Sequence, residues 1–151
     1  MLTITPFLWF DTQAEEAMLF YSSIFPRART VSVSRVQGRV MSVEFELEGQ
    51  RFMALNAGPH FKFNEAVSFF VRCETQAQID NLWGRLIAGG GSPGRCGWLK
   101  DQFGLSWQIV PAALSRMLGD ADGSKSQRVM AALMQMEKLE TNVLEAAFKG
   151  E

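Results

Sequence analysis

The chain has 151 residues, of which 47% are hydrophobic and 21% charged, with a formal net charge of -1. That length suits one domain or two small modules sharing a core, and the composition is that of a folded globular chain, not a disordered one. A near-neutral balance without a long Lys/Arg cluster excludes a surface built to track phosphates, so no nucleic-acid partner is expected.

No apolar run approaches the roughly 20 residues needed to span a bilayer, so no membrane partner is expected either. The opening "MLTITPFLWF" has neither the basic start nor the small-residue cleavage site of a signal peptide. Cys73 and Cys96 form no zinc spacing and no disulfide framework. A cytoplasmic chain with both thiols reduced is the expectation. Eight Met and twelve Phe point to a core, or a cavity, lined by soft and aromatic side chains.

In chain order, Leu2 to Phe10 is short, apolar and bounded by a polar turn, so a buried strand is predicted, with Pro6 marking an edge or the end of a ladder. Asp11 or Thr12 caps a helix, and Glu15 is placed to close a capping box on Thr12. Ala14, Ala17, Met18, Tyr21 and Phe25 give its apolar stripe, and Pro26 ends it. "RTVSVSRV" alternates as a strand. Gln37-Gly38 marks a turn, and "VMSVEFELEGQRFMALN" reads as a hairpin turning at Glu48-Gly49.

The same order then restarts. Ala66 to Cys73 reads as a strand, and Glu74 to Ala88 as a helix closed by Gly89, Gly90 and Gly91. A short strand fits between Ala88 and Cys96. Arg95 to Lys100 and Leu105 to Val110 bracket "DQFG" as another hairpin. At an offset of 63 residues Phe7 meets Phe70, and Thr12, Gln13 and Ala14 meet Thr75, Gln76 and Ala77. Repeated order and repeated caps indicate two copies of one module. After Pro111, "AALSRML", "SKSQRVMAALMQM" and "TNVLEAAFK" carry helical spacing. The expected organisation is α+β: two tandem βαβββ modules, about 1–57 and 66–111, paired in one domain over 1–111. A helical appendage follows over 112–151.

Two such modules in tandem are the layout of the vicinal oxygen chelate superfamily, which holds glyoxalases, ring-cleaving dioxygenases, and bleomycin and fosfomycin resistance proteins. "ITPFLWFDTQAEEAMLFYSSIFP", "GQRFMALNAGPHFKFNEAVSFFVRCETQAQID", "CGWLKDQFGLSWQIVP" and the tail "SQRVMAALMQMEKLETNVLEAAF" closely resemble its PhnB-like branch. That branch is often labelled 3-demethylubiquinone-9 3-methyltransferase-like. The resemblance implies sheets curled into a mixed, curved cup, a cavity between modules, and a homodimer. It does not fix an activity.

Metal-dependent members place His, Gln or Glu on the first strand of each module, with further ligands on the fourth and last strands. Here those positions fall at Thr5 or Pro6, at Ser68, near Met53 or Asn56, and at Gln108. None offers imidazole or carboxylate, so no metal and no cofactor are expected. The single histidine, His60, lies in a loop. The glycine stretch "AGGGSPG" follows a helix, whereas a nucleotide-binding turn follows a strand, so it reads as a helix stop.

A cavity lined by Phe7, Trp9, Asn56, Ser68, Phe70 and Gln108 is the expected site: aromatic walls with a few amides and hydroxyls suit a small molecule. Gln108 stands out, because an amide in an apolar strand needs a partner. Cys96 is a weaker candidate; Arg95 beside it should point to the opposite face of a strand, and a buried inert thiol is the simpler reading. Glu44 and Glu46 are expected on a solvated face or paired with Arg35 or Arg39, and Lys100-Asp101 at a solvent-facing turn. A metal-free binding protein leads. An enzyme of unidentified reaction using the same cavity, and a ligand-free structural dimer, are the alternatives.

Overall fold

The computed structural model describes residues 1–151, and they divide into two compact units, Met1–Lys62 and Phe63–Glu151. In the first unit the chain runs β1 (Phe7–Phe10), α1 (Ala14–Ile24), β2 (Ala28–Val36), β3 (Arg39–Leu47) and β4 (Gln50–Asn56). The sheet order is β1-β4-β3-β2, with β1 parallel to β4 and the other pairs antiparallel. Both hairpins close on two residues of positive φ: Gln37-Gly38 (52 and 76) and Glu48-Gly49 (49 and 85). That backbone twist matches the twist of the flanking strands.

Alternation sorts this sheet into two faces. Leu8, Phe10, Val43, Phe45, Phe52 and Ala54 are buried, as are Ala14, Ala17, Met18, Tyr21 and Ile24 of α1. Those two sets form the core of the unit. The stripe predicted for α1 is observed at Ala14, Ala17, Met18 and Tyr21, but its last helical member is Ile24, and Phe25, predicted there, is the buried C-cap residue. Its start differs from expectation. Gln13 is the N-cap and gives no side-chain bond. The first free amide, Ala14 N–H, donates instead to Asn56 Oδ1 at 2.9 Å, and Asn56 Nδ2 donates to Val40 O at 3.1 Å. Glu15, predicted to complete a capping box, is an ion-pair partner of Arg35 at 2.7 Å.

The strand predicted over Leu2 to Phe10 begins only at Phe7. Phe7 is in register with Met53, so Ile4 falls level with Gln50, the first residue of β4. Earlier residues run past the end of the ladder, and Leu2 and Ile4 are 95% and 94% exposed.

The second unit repeats the plan with β5 (Ser68–Cys73), α2 (Gln76–Ile87), β6 (Ser92–Pro93), β7 (Trp98–Lys100) and β8 (Ser106–Pro111), in sheet order β5-β8-β7-β6. Again the first strand is parallel to the last. Here the cap is local. Thr75 Oγ accepts from Gln78 N–H, and the Gln78 side chain accepts from the backbone N–H of Glu74 and Thr75. That is a complete capping box. Buried Ile79, Leu82, Trp83 and Leu86 of α2 pack over Leu99, Trp107 and Ile109.

The remaining helices are α3 (Ala113–Leu118), α4 (Gly123–Leu133) and α5 (Thr141–Lys149). Val110, Leu114, Met117, Val129, Leu133, Leu139 and Leu144 form a second hydrophobic cluster of this unit. Gln76, at the start of α2, holds the approach to α5. Its Nε2 donates to Leu139 O at 2.9 Å and its Oε1 accepts from Thr141 N–H at 2.8 Å. Lys138 reaches Asp80 at 2.7 Å and Glu140 at 3.4 Å beside that clip. No helix is long and apolar enough to cross a membrane.

Candidate functional site

Each sheet has a second face, turned away from its helix, and most predicted site residues lie there. In the first unit Phe7 and Trp9 alternate with buried Leu8 and Phe10 and share rows with Met53 and Leu55. Phe7 is 54% exposed. Trp9 is fixed at both ends: its Nε1 donates to Gly58 O at 2.9 Å, and its ring meets Phe61 edge-on at 4.8 Å. The same face carries a charged ladder. Arg51 bonds Glu44 at 2.7 Å and approaches Glu46 at 3.7 Å, while Arg29 bonds Glu46 at 2.9 Å. The two glutamates therefore pair with Arg51 and Arg29. They do not pair with Arg35 or Arg39, because the β3–β4 and β2–β3 registers bring Arg51 and Arg29 level with Glu46.

Asn56 is set apart from Phe7 and Trp9. It is level with Phe10 and has the parity of Phe52 and Ala54, on the α1 side. Its amide is engaged at both atoms in starting α1 and holding Val40.

In the second unit Ser68, Phe70, Ser106 and Gln108 share one face. Ser68 is level with Ser106, and Phe70 with Gln108. Gln108 Nε2 donates to Ser68 Oγ at 2.9 Å, which supplies the partner that a half-buried amide needs. Phe70 is 57% exposed beside it. Antiparallel pairing extends both rows, adding Lys100 beside Ser106 and Trp98 beside Gln108. Alternation along the last strand had put Ser106 on the face of Gln108, as observed, but sequence reasoning had not placed Lys100 or Trp98 in the site. The signal was present in "GWLKDQFGLSW", where alternation puts Trp98 and Lys100 on one side.

The hairpin between β7 and β8 corrects another expectation. Asp101 is 3% exposed and does not face solvent. Its Oδ1 accepts from Phe103 N–H at 2.9 Å and Leu105 N–H at 3.0 Å, and its Oδ2 from Trp107 Nε1 at 2.9 Å. Lys100 pairs with Glu65.

Cys96 is not on a strand. It sits in a left-handed turn with φ 59, ahead of β7. Strand alternation therefore does not separate it from Arg95. Both reach Met134, Arg95 through a guanidinium bond to Met134 O at 3.0 Å and Cys96 through Sγ at 3.8 Å from the thioether sulfur. Cys73 is buried, and burial, with Glu74 adding, pushes its thiol from 9.0 up to about 11.

These residues fit neither a catalytic metal nor a nucleotide-like cofactor. A catalytic divalent metal at the first, fourth and last strands would meet Thr5, Ser68, Met53 and Gln108. Hydroxyls, a thioether and one amide already bonded to Ser68 do not fit such an ion. No three His, Cys, Asp or Glu side chains cluster anywhere in the chain. A nucleotide-like cofactor fares no better at "AGGGSPG". Gly89 has φ 82 where α2 stops, and a Cβ on Gly91 would meet Lys100 O at 2.5 Å. These glycines serve a helix stop and a tight approach to β7.

A family model described as 3-demethylubiquinone-9 3-methyltransferase matches residues 2–110. The chain belongs to this family. A PhnB protein of Bacillus cereus that carries the same family description is 36% identical, with a TM-score of 0.69. The match covers 74% of this chain and 100% of that one. Protein PA1353 of Pseudomonas aeruginosa is 19% identical with a TM-score of 0.60, over 74% of this chain and 98% of that one. The fosfomycin resistance protein FosX of Listeria monocytogenes is 11% identical with a TM-score of 0.54, over 73% and 91%. The last two show the fold alone. No curated protein matches the chain. The tail from Ser126 to Phe148 lies outside the residues the family model matches.

Proposed function

We propose that this family member is a metal-free small-molecule-binding protein that works as a cytoplasmic homodimer. The observation that carries the reading is Phe70. A large aromatic side chain stands more than half exposed on the open face of the edge strand β5, beside an amide whose oxygen is uncommitted. Apolar surface of that kind, with a few placed polar groups, suits ligand capture. Phe7, at the equivalent place in the first unit, is exposed to a similar degree beside Met53. Two cysteines that stand as free thiols support a reducing compartment.

An enzyme working on the same face is the alternative, and the family's methyltransferase description is what favours it. Thermal unfolding of chelator-treated protein separates the two. Nickel, manganese, zinc and magnesium should leave the melting temperature unchanged, and members of a small-molecule library should raise it saturably. A saturable rise with one metal at low concentration would sink the metal-free reading in favour of the enzyme. Sedimentation of the same samples tests the dimer.

A further inference from the structure

Ser106 is 1% exposed, and its hydroxyl has no hydrogen-bond partner. Buried hydroxyls are rarely left so. Its neighbours say what would complete it. The register sets Ser68, Ser106 and Lys100 side by side on β5, β8 and β7, so two serines and a lysine form one row on neighbouring strands about 4.8 Å apart. Two residues along, Phe70, Gln108 and Trp98 form the next row, an amide between two aromatic rings. Gln108 spends one N–H on Ser68, which leaves the Ser68 proton to donate elsewhere.

Lys100 is already occupied, by the carboxylate of Glu65 from the segment before β5. Glu65 is the more exposed partner, at 61% against 45%. A carboxylate in water loses little when it leaves such a pair. Its position also shows that a carboxylate fits against Lys100. With one cation and one or two hydroxyl donors, the row suits a monoanion. A phosphate dianion calls for more charged donors.

We propose that this face binds a small aromatic carboxylate. The carboxylate replaces Glu65 on Lys100 and accepts from the Ser106 hydroxyl, and the ring lies against Phe70 and Trp98. Glu65 is then a resident competitor that the ligand must displace. The inference rests on the small-molecule reading above and adds the ligand class to it.

The test uses three probes on the full chain: 2-naphthoate, the neutral 2-naphthamide, and acetate, which has the charge without the ring. Titration calorimetry reads each with the native chain and with Glu65→Gln, Lys100→Met and Ser106→Ala, all checked for folding by circular dichroism. Naphthoate should bind at least about tenfold more tightly than naphthamide, and acetate should not bind measurably. Glu65→Gln should tighten naphthoate several-fold, a gain that misfolding cannot produce. Ser106→Ala should weaken it about two- to tenfold, and Lys100→Met should abolish the preference over naphthamide. Naphthamide binding as tightly as naphthoate, or Glu65→Gln leaving naphthoate unchanged, would overturn the carboxylate assignment and leave the small-molecule reading standing. Acetate binding as tightly as naphthoate would remove the role of the rings. Failure of all three probes, with a library ligand still found by thermal unfolding, would overturn this inference alone; failure of both searches would overturn both.

Discussion

The Trp107 indole donates to the Asp101 carboxylate at 2.9 Å across the β7–β8 hairpin, and the other oxygen of that carboxylate closes the turn on two backbone amides. A buried carboxylate is tolerable only because these donors surround it. Asp101→Ala strands all three and should cost about 3 kcal/mol of stability, read as a lower urea midpoint with unchanged slope. Asp101→Asn keeps the shape and should lose less. Because β7 and β8 carry Trp98, Lys100, Ser106 and Gln108, the alanine variant should also weaken any ligand of that face.

Asn56 offers a cleaner separation of two bonds. Asn56→Asp retains an acceptor for Ala14 N–H and loses the donor to Val40 O, whereas Asn56→Ala loses both. Alanine should cost about 1–2 kcal/mol, the range for a lost helix cap. Aspartate should cost less, since a carboxylate also suits the positive end of the helix. Equal losses in both variants would show that the Val40 bond dominates.

Gln76 ties α2 to the start of α5 through Leu139 and Thr141. Gln76→Ala should lower stability by about 1–2 kcal/mol and should speed limited proteolysis between α4 and α5. The neighbouring pair adds a pH signature. The Asp80 carboxyl is held below its ordinary value by its bonds to Lys138 and then Gln76. A depressed carboxyl contributes stability above its unfolded pKa, and that contribution goes as pH falls through the folded one. Lys138 is raised, chiefly by its bond to Asp80, so its share is lost only in alkali as pH passes the lysine range. Asp80→Asn should flatten the acid limb of a stability–pH curve.

The two thiols should behave differently. Cys73 is buried with its ionisation pushed up to about 11, while Cys96 is partly exposed. A thiol-specific chromogenic reagent at pH 8 should label Cys96 first and Cys73 at the rate of unfolding. Because the unfolded Cys73 thiol ionises near 9.0, stability should fall as pH rises from there towards 11.

The order of strands and helices was legible because alternation and helical spacing are local signals. The same parity found the face shared by Ser68, Phe70 and Gln108, and the one shared by Phe7 and Trp9. What escaped the sequence lies in partners far along the chain. Nothing near Asn56 announces that it starts a helix 42 residues earlier. Leu2 and Ile4 look like strand residues, yet the β1–β4 pairing starts only at Phe7. Asp101 looks like a turn residue, and its burial follows from Trp107 folding back over the hairpin. Cys96 looks like a strand residue, but a left-handed backbone followed by Gly97 makes it a turn.

The unlike caps of the two helices have a consequence for how the chain assembles. The α2 cap is made by Thr75 and Gln78, three residues apart, and forms as soon as that turn does. The α1 amide waits for Asn56, which arrives only when β4 is laid beside β1. One copy of the duplicated module can thus nucleate its helix from local contacts, while the other must first close a long loop. A peptide spanning 74–88 should hold measurable helix in water where one spanning 11–25 holds less. The two halves, alike in outline, are set to fold in an order.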